Sequence, residues 1–255
     1  MNSIDFSTLN LGVDGDSITA GEQWSYHVFK DLGFKTHHNV AVGSSCWYKR
    51  RHFYGNGSYI ETQDFNSPDF AGISDGWEDT DDLDEIQKRL NNCAVVHIQK
   101  FLSEVKSGSY PAPDVFVFAM GTNDDEKFFG DPERTAYQSE KPSGDELFTE
   151  SGAVRWCIQT IAEEYPEARI FVCTPIQTGR PEHNRKNRKI IENLKIICSA
   201  MSVQLIDCYS GSGICEKFEK EDGTGRYLKD GLHPDTAGQA LEGKFIGKEI
   251  RNNIF

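Results

Sequence analysis

Short segments with clustered apolar residues alternate along the chain with longer stretches in which apolar residues recur every three to four positions. The segments 9–13 and 114–120 predict strands, and the second, DVFVFAM, is a continuous apolar run typical of a central strand that is covered on both faces. The segments 35–42, 168–173 and 203–207 predict three further strands.

The stretches between these runs have the spacing of amphipathic helices. Leu83, Ile86 and Leu90, for example, lie near one face of a helix predicted over 82–106. The same spacing predicts helices at 20–32, 148–165, 184–201 and 236–250. Strands that alternate with helices in this way predict a three-layer α/β/α sandwich around a central parallel sheet of about five strands, in a single domain over 1–255.

The segment 44–81 interrupts this alternation. It is rich in Tyr, Trp, Phe, Gly and Asp, and it is too long for an ordinary connection between two elements. We therefore expect an insertion or a long loop. Two interpretations remain open: a lid or wall of a substrate site, and a surface loop that packs on its own aromatic side chains.

The chain is acidic, with 27 Lys and Arg against 40 Asp and Glu and a formal net charge of -13. Such a surface repels phosphate backbones and anionic membranes, so nucleic acid is not expected as a partner. No segment approaches the ~20 apolar residues that span a bilayer, and the first residues lack the basic and apolar regions of a signal peptide. The sequence as given predicts a cytoplasmic location, or a secreted or periplasmic one if a leader has been removed.

Seven cysteines occur without a C-x-x-C pair, and several lie inside apolar runs, such as Cys173 and Cys198. This pattern is typical of reduced thiols that pack as small apolar side chains. Because the paired ligand spacing of zinc sites is missing, no metal ion is expected.

Candidate functional residues follow the predicted strands. Ser17 comes after the first strand, Gly43 after the second and Asn123 after the central one. Asp230 and His233 lie on the loop before the last helix. Because ligands bind at the carboxyl ends of parallel strands, we expect these residues to converge on one edge of the sheet.

This set of residues contains the parts of an acyl-transfer site. A serine hydroxyl needs a base, and Asp-x-x-His on a tight turn lets the carboxylate of Asp230 face Nδ1 of His233 while Nε2 points at Ser17. The backbone N–H groups of Ser17 and Gly43 and the amide of Asn123 are candidate donors to an oxyanion. Each feature alone also has an ordinary explanation as a capped loop, a turn or an Asx-turn.

The blocks GDSIT, Gly43, GTND and DGLHP follow one another in the order of the SGNH hydrolases. The sequence therefore resembles the GDSL/SGNH hydrolase family over nearly its whole length. The resemblance implies a flavodoxin-like fold, no cofactor and catalysis by Ser17, His233 and Asp230, with Ser17, Gly43 and Asn123 forming the oxyanion hole. The sequence departs from the family pattern in one place: family members often have further small residues after this glycine, whereas here Gly43 is followed by SSCW.

The motifs leave the substrate open, because acetylesterases, lysophospholipases and thioesterases share them. The aromatic segment 44–81 suits stacking on sugars, and no long apolar stretch predicts a lipid tunnel. We therefore expect an esterase that removes a short acyl group from a small-molecule or carbohydrate ester. Asp16, Trp47 and Tyr48 are further candidates for substrate contact. The alternatives are a lysophospholipase or thioesterase, and a binding protein of the same fold without catalysis.

Overall fold

A five-stranded parallel sheet forms the centre of the molecule. The computed structural model describes residues 4–21 and 23–254. Its strands, in chain order, are β1 (Asn10–Gly15), β2 (Thr36–Asn39), β3 (Arg51–Phe53), β4 (Tyr59–Glu61), β5 (Val115–Ala119), β6 (Arg169–Cys173) and β7 (Gln204–Ile206). The central sheet has the order β2-β1-β5-β6-β7, with Leu11 of β1 opposite His37 of β2 and Val115 of β5. The predicted parallel sheet is confirmed.

Helices cover both faces of this sheet. They are α1 (Trp24–Leu32), α2 (Leu83–Leu90), α3 (Ala94–Lys106), α4 (Pro132–Tyr137), α5 (Glu150–Glu164), α6 (Pro181–Ala200), α7 (Cys208–Gly211) and α8 (Thr236–Asn253). Phe116 and Phe118 of β5 join the core formed with α3, α5 and α6, whereas Val115 and Val117 join the core formed with α1 and α8. Strand β5 is therefore buried on both faces, and the three-layer sandwich is confirmed.

The helix predicted over 82–106 is two helices, and that prediction is corrected. Helix α2 ends at Leu90, and α3 begins at Ala94 after an extended residue at Cys93. The intervening Asn91 and Asn92 donate their side-chain amides to backbone carbonyls of other segments. These bonds hold the two residues between the helices against the loop after β2 and the segment around Gly72.

The segment 44–81 contains a small antiparallel hairpin of β3 and β4 and is otherwise irregular. Its first residues enter the core, since Trp47 and Tyr48 are buried, whereas Trp77 near its end is exposed. The connection between β5 and α5 also contains the short helix α4, whose N-terminus is capped by Asp131. Both elements are too short to produce a clear periodic pattern in the sequence.

All seven cysteines are free thiols, and six of them are buried, as the sequence predicts; Cys215 is partly exposed. Within the described ranges, the helices are too short or too polar for any of them to cross a membrane.

Candidate active site

Ser17 lies on a tight turn directly after β1. The backbone N–H groups of Thr19 and Ala20 donate to the Asp16 carbonyl at 2.9 and 2.8 Å, which closes the turn. Gly15 is the last residue of β1, and a methyl group added to it would lie 2.5 Å from the Ala119 carbonyl oxygen of β5. A residue without a side chain therefore allows β1 to stay against β5 up to the turn, and the turn presents Ser17 at the sheet edge.

Asp230 and His233 occupy a second turn, before α8. The Oδ1 atom of Asp230 accepts backbone N–H groups of Leu232 and His233 at 3.0 and 2.8 Å. Its Oδ2 lies 2.7 Å from His233 Nδ1, and His233 Nε2 lies 2.8 Å from Ser17 Oγ. Since the carboxylate accepts the Nδ1 proton, Nε2 is left to accept the Ser17 hydroxyl proton. This is the arrangement expected of a nucleophile, its base and an orienting acid.

The loop after β6 fixes this second turn. Gly179 donates its N–H to the Gly231 carbonyl at 2.8 Å, and Arg180 Nη2 donates to the Asp230 carbonyl at 3.1 Å. Gly231 has a φ of 73°, and a methyl group there would meet the backbone of Glu221 at 2.6 Å, so glycine is required.

Asp230 carries its charge at neutral pH. Partial burial opposes ionisation of this carboxyl group, but the hydrogen bonds from the His233 backbone, the His233 ring and the Leu232 backbone outweigh it. They lower the pKa of Asp230 to about 2. The negative charge therefore faces Nδ1 of His233 when the base takes up a proton at Nε2.

Gly43 and Asn123 lie beside this group. A methyl group on Gly43 would lie 3.8 Å from Ser17 Cβ. The side chain of Asn123 donates to the Ser45 carbonyl at 3.0 Å, and Ser45 Oγ donates to the Gly15 carbonyl at 3.0 Å. The loop after β2 is thus tied to the ends of β1 and β5. The five residues singled out from the motifs therefore meet at one edge of the sheet.

Three other predicted contacts are corrected. Asp16, Trp47 and Tyr48 are exposed by only 1%, 0% and 3% of their surface, so none of them reaches a substrate. Trp47 packs on Phe118, with ring centroids 5.5 Å apart. The hydroxyl of Tyr48 accepts the Asp125 N–H at 3.0 Å. Trp47 and Tyr48 therefore pack the loop after β2 against β5 and the residues that follow it.

Asp75 lies at the site, and no sequence motif marks it. A methyl group on Gly43 would lie 3.4 Å from its Cβ and 3.5 Å from its Oδ2. Its side chain is exposed, and it has no hydrogen bond or ion pair with any residue that the structure describes. The preceding Ser74 holds the segment against α2 through Lys88 and Glu85, at 3.2 and 2.6 Å. The position of Asp75 next to Gly43 favours the interpretation of 44–81 as a wall of the site.

Buried carboxyl groups lie close to the turn that carries Ser17. Asp16 and Glu242 of α8 line a cavity of about 10 Å³, close to the minimum for one water molecule. Burial raises the pKa of Asp16 to about 6, and burial together with the Asp16 charge raises the pKa of Glu242 to about 8. Burial likewise raises the pKa of Asp124, next to Asn123, to about 7.

Two open clefts lie beside Asn123 and Ser44. One, of about 420 Å³, extends from Asn123 to the start of α6 and includes His183 and Lys186. The other, of about 320 Å³, extends from Ser44 to Trp77 and includes Arg50, Ser74, Arg89 and Asn92. Polar and charged side chains predominate in both.

The family model of the GDSL-like lipase/acylhydrolase family matches residues 14–241 of the chain. The match covers most of the sequence, so the chain belongs to this family and is a hydrolase of ester bonds. No curated protein sequence matches the chain.

Solved structures share the fold at low sequence identity. A lipase/acylhydrolase from Enterococcus faecalis is 15% identical, with a TM-score of 0.53 and 96% of each chain covered. A member of the lipolytic protein G-D-S-L family from Veillonella parvula is 12% identical, with a TM-score of 0.51, covering 96% of this chain and 100% of that one. A protein from Lactobacillus plantarum is 14% identical, with a TM-score of 0.59, covering 98% and 99%. At these identities the likeness establishes the fold alone.

Proposed function

We propose that the chain is a serine esterase in which Ser17 is the nucleophile, His233 the base and Asp230 the residue that orients the base. The main support for this proposal is a continuous row of hydrogen bonds through the ring of His233. Ser17 Oγ lies 2.8 Å from His233 Nε2, and His233 Nδ1 lies 2.7 Å from Asp230 Oδ2. Such a row is the geometric signature of an activated serine.

The first half of the reaction forms an acyl-enzyme. Ser17 Oγ attacks the ester carbonyl carbon, and His233 Nε2 takes the hydroxyl proton. The backbone N–H groups of Ser17 and Gly43 and the side-chain amide of Asn123 stabilise the negative oxygen of the tetrahedral intermediate. His233 then gives its proton to the alcohol oxygen as the carbon–oxygen bond breaks. The alcohol leaves, and the acyl group remains on Ser17.

The second half returns the enzyme to its starting state. Water attacks the acyl carbon, and His233 takes one of its protons. The same donors stabilise the second oxyanion. When the bond to Ser17 breaks, His233 returns the proton to Oγ, and the carboxylic acid is released. Asp230 stays ionised throughout and stabilises the imidazolium form of His233.

We further propose that the acyl group is short and that the alcohol is polar, as in an O-acetylated carbohydrate. The clefts beside Asn123 and Ser44 are lined mainly by polar and charged groups, which suits hydroxyl-rich ligands better than a long acyl chain. The exposed carboxylate of Asp75 is available to accept hydrogen bonds from an alcohol that carries further hydroxyl groups.

The nucleophile is tested with Ser17→Ala. We expect turnover of p-nitrophenyl acetate to fall by about 10³-fold or more while thermal unfolding stays unchanged. A fluorophosphonate probe should label the wild-type chain and Ser109→Ala, an exposed serine after α3, but not Ser17→Ala. Turnover in Ser17→Ala close to that of the wild type would remove Ser17 from the mechanism.

The substrate class is tested by comparing acetylated xylose and glucose with p-nitrophenyl esters of increasing chain length. We expect acetyl esters to have a higher kcat/KM than esters of about eight carbons or more, because a longer acyl chain would lie on charged side chains. The opposite order would favour a lysophospholipase or thioesterase.

A further inference from the structure

A second Asp–His pair, separate from the first, lies in the core behind the loop after β2. Asp14 of β1 and His97 of α3 are both fully buried, and His97 Nδ1 lies 2.9 Å from Asp14 Oδ1. His97 Nε2 lies 3.0 Å from the side-chain oxygen of Asn92. The amide of Asn92 then donates to the Gly43 carbonyl at 2.6 Å. These contacts link the centre of the sheet to the glycine beside Ser17.

The Gly43 carbonyl, at the end of this series of contacts, determines which group donates in the hydrogen bonds of Asn92. The Gly43 carbonyl can only accept, so the nitrogen of the Asn92 amide must face it and the oxygen must face His97. That oxygen can only accept, so His97 Nε2 carries a hydrogen. A second hydrogen lies between Nδ1 and Asp14 Oδ1, because two facing lone pairs would repel each other, and the Gly15 N–H donates to the same Asp14 oxygen at 2.8 Å.

Gly43 depends on such anchors because it has no side chain to pack. On one side of it, the Val42 N–H donates to the Gly15 carbonyl at 3.3 Å, and on the other side Asn92 holds the Gly43 carbonyl. Ser44, the next residue, has a φ of 61°, a left-handed conformation that is unfavourable for serine. Asn92 therefore stabilises a backbone conformation that the loop would not favour by itself.

We infer that Asn92, held by His97 and Asp14, is a positioning residue that sets the orientation of Gly43 in the oxyanion hole. This inference rests on the proposed esterase reaction at Ser17. Asn92 is exposed by only 1% of its surface and His97 and Asp14 are fully buried, so the three side chains act through the Gly43 backbone. Loss of a complete oxyanion donor lowers kcat by about 10²–10³-fold. Because misplacement of a donor costs less than its removal, we expect about 10-fold or more from loss of the Asn92 contact.

The kinetic test compares two variants of Asn92 with a matched control. Asn92→Ala removes the donor, and Asn92→Asp keeps the size and the acceptor for His97 but places a second acceptor against the Gly43 carbonyl. Both should lower kcat for p-nitrophenyl acetate with KM changed less than about twofold, because the lost contact acts on the transition state. The control is Asn187→Ala in α6, which removes a comparable buried bond to the Ile176 carbonyl and should leave kcat unchanged.

His97 offers a second pair of variants that does not alter Asn92. His97→Gln keeps an N–H donor near the position of Nε2, whereas His97→Leu removes it. We expect His97→Gln to retain most of kcat and His97→Leu to match Asn92→Ala. Equal kcat in the two His97 variants, or a loss in Asn92→Ala no larger than in Asn187→Ala, would overturn the inference. The His97 pair decides the question if the Asn92 variants fail to fold.

A spectroscopic measurement separates this inference from the proposed reaction. Cell-free synthesis with carbonyl-¹³C glycine and ¹⁵N serine creates a ¹³C–¹⁵N bond, and hence a carbonyl–amide correlation signal, only in Gly–Ser peptides. The chain has four of them: 43–44, 57–58, 108–109 and 211–212. The Gly43–Ser44 signal should shift in Asn92→Ala and His97→Leu and not in Asn187→Ala, while the other three stay in place. An unshifted signal would refute the positioning role even if the enzyme is active. A shifted signal in a chain that hydrolyses no ester would refute the proposed reaction alone.

Discussion

Replacing Glu242 with Gln is expected to stabilise the protein at neutral and alkaline pH. Glu242 lies on α8 with only 4% of its surface exposed, and its Oε2 has no hydrogen-bond partner in the described part of the chain. Burial and the nearby charge of Asp16 raise the pKa of this carboxyl group from 4.5 to about 8. Gln keeps the size of the side chain and resembles the neutral acid that the folded protein prefers.

The size of the effect follows from proton linkage. An unfolded chain releases the Glu242 proton near pH 4.5, whereas the folded chain retains it until about pH 8. Between these values the folded state binds more protons, so the free energy of unfolding decreases as pH rises. The contribution is intact below pH 4.5 and fully lost above pH 8. At about 1.4 kcal/mol for each pKa unit, the loss between pH 5 and pH 8 is on the order of 3 kcal/mol.

The assay is urea unfolding of both proteins at pH 5, 6, 7 and 8. We expect Glu242→Gln to exceed the wild type by a margin that grows by about 3 kcal/mol over this range, or about 6–12 °C in Tm for a chain of this length. Glu192→Gln, an exposed position on α6, serves as the matched control, and its difference from the wild type should not vary with pH.

A constant margin for Glu242→Gln between pH 5 and pH 8 would refute the reasoning. The role of Asp16 can be separated in the same experiment. Because its charge contributes to the raised pKa of Glu242, Asp16→Asn should lower that pKa and reduce the pH-dependent margin of Glu242→Gln.

Two further predictions concern the site itself. Asn123→Ala should lower kcat for p-nitrophenyl acetate by about 10²-fold or more with little change in KM, since the amide would stabilise the oxyanion. A change confined to KM would contradict this role. Asp75→Ala should lower kcat/KM for acetylated sugars more than for p-nitrophenyl acetate, whose alcohol offers no hydroxyl groups to this carboxylate. An equal loss on both substrates would contradict recognition of the alcohol by Asp75, and Asp79→Ala, elsewhere in the same segment, is its control.

The sheet and its order of elements could be predicted because their signals are local. The buried run at β5 and the helical spacing of α5, α6 and α8 need no knowledge of distant residues. The meeting of Ser17 with Gly43 and Asn123 also follows from the rule that the carboxyl ends of parallel strands share one edge. By contrast, the break between α2 and α3 depends on backbone carbonyls that only the folded chain brings to Asn91 and Asn92.

The contacts of 44–81 could not be predicted for a related reason. Its aromatic residues fit stacking on a ligand and packing in a core equally well, and the structure uses Trp47 and Tyr48 for packing. Asp75 is close to Gly43 only because Ser74 is held by α2, a contact that no pattern encodes. The pair of His97 and Asp14 is likewise separated by 83 positions in the sequence. Such pairings are set by tertiary packing, on which local patterns carry no information.

The buried acids around Ser17 are not equivalent, and the difference explains why Glu242 is the one to replace. An unpaired buried carboxylate costs stability, so each needs a compensating role. Asp16 accepts the Ile18 N–H at 3.0 Å and Asp124 accepts the Trp47 N–H at 3.2 Å. These bonds hold the turn that carries Ser17 and the loop that carries Gly43. Glu242 holds no such backbone group among the described residues, so a neutral Gln, which takes up no proton on folding, should raise stability while kcat is preserved.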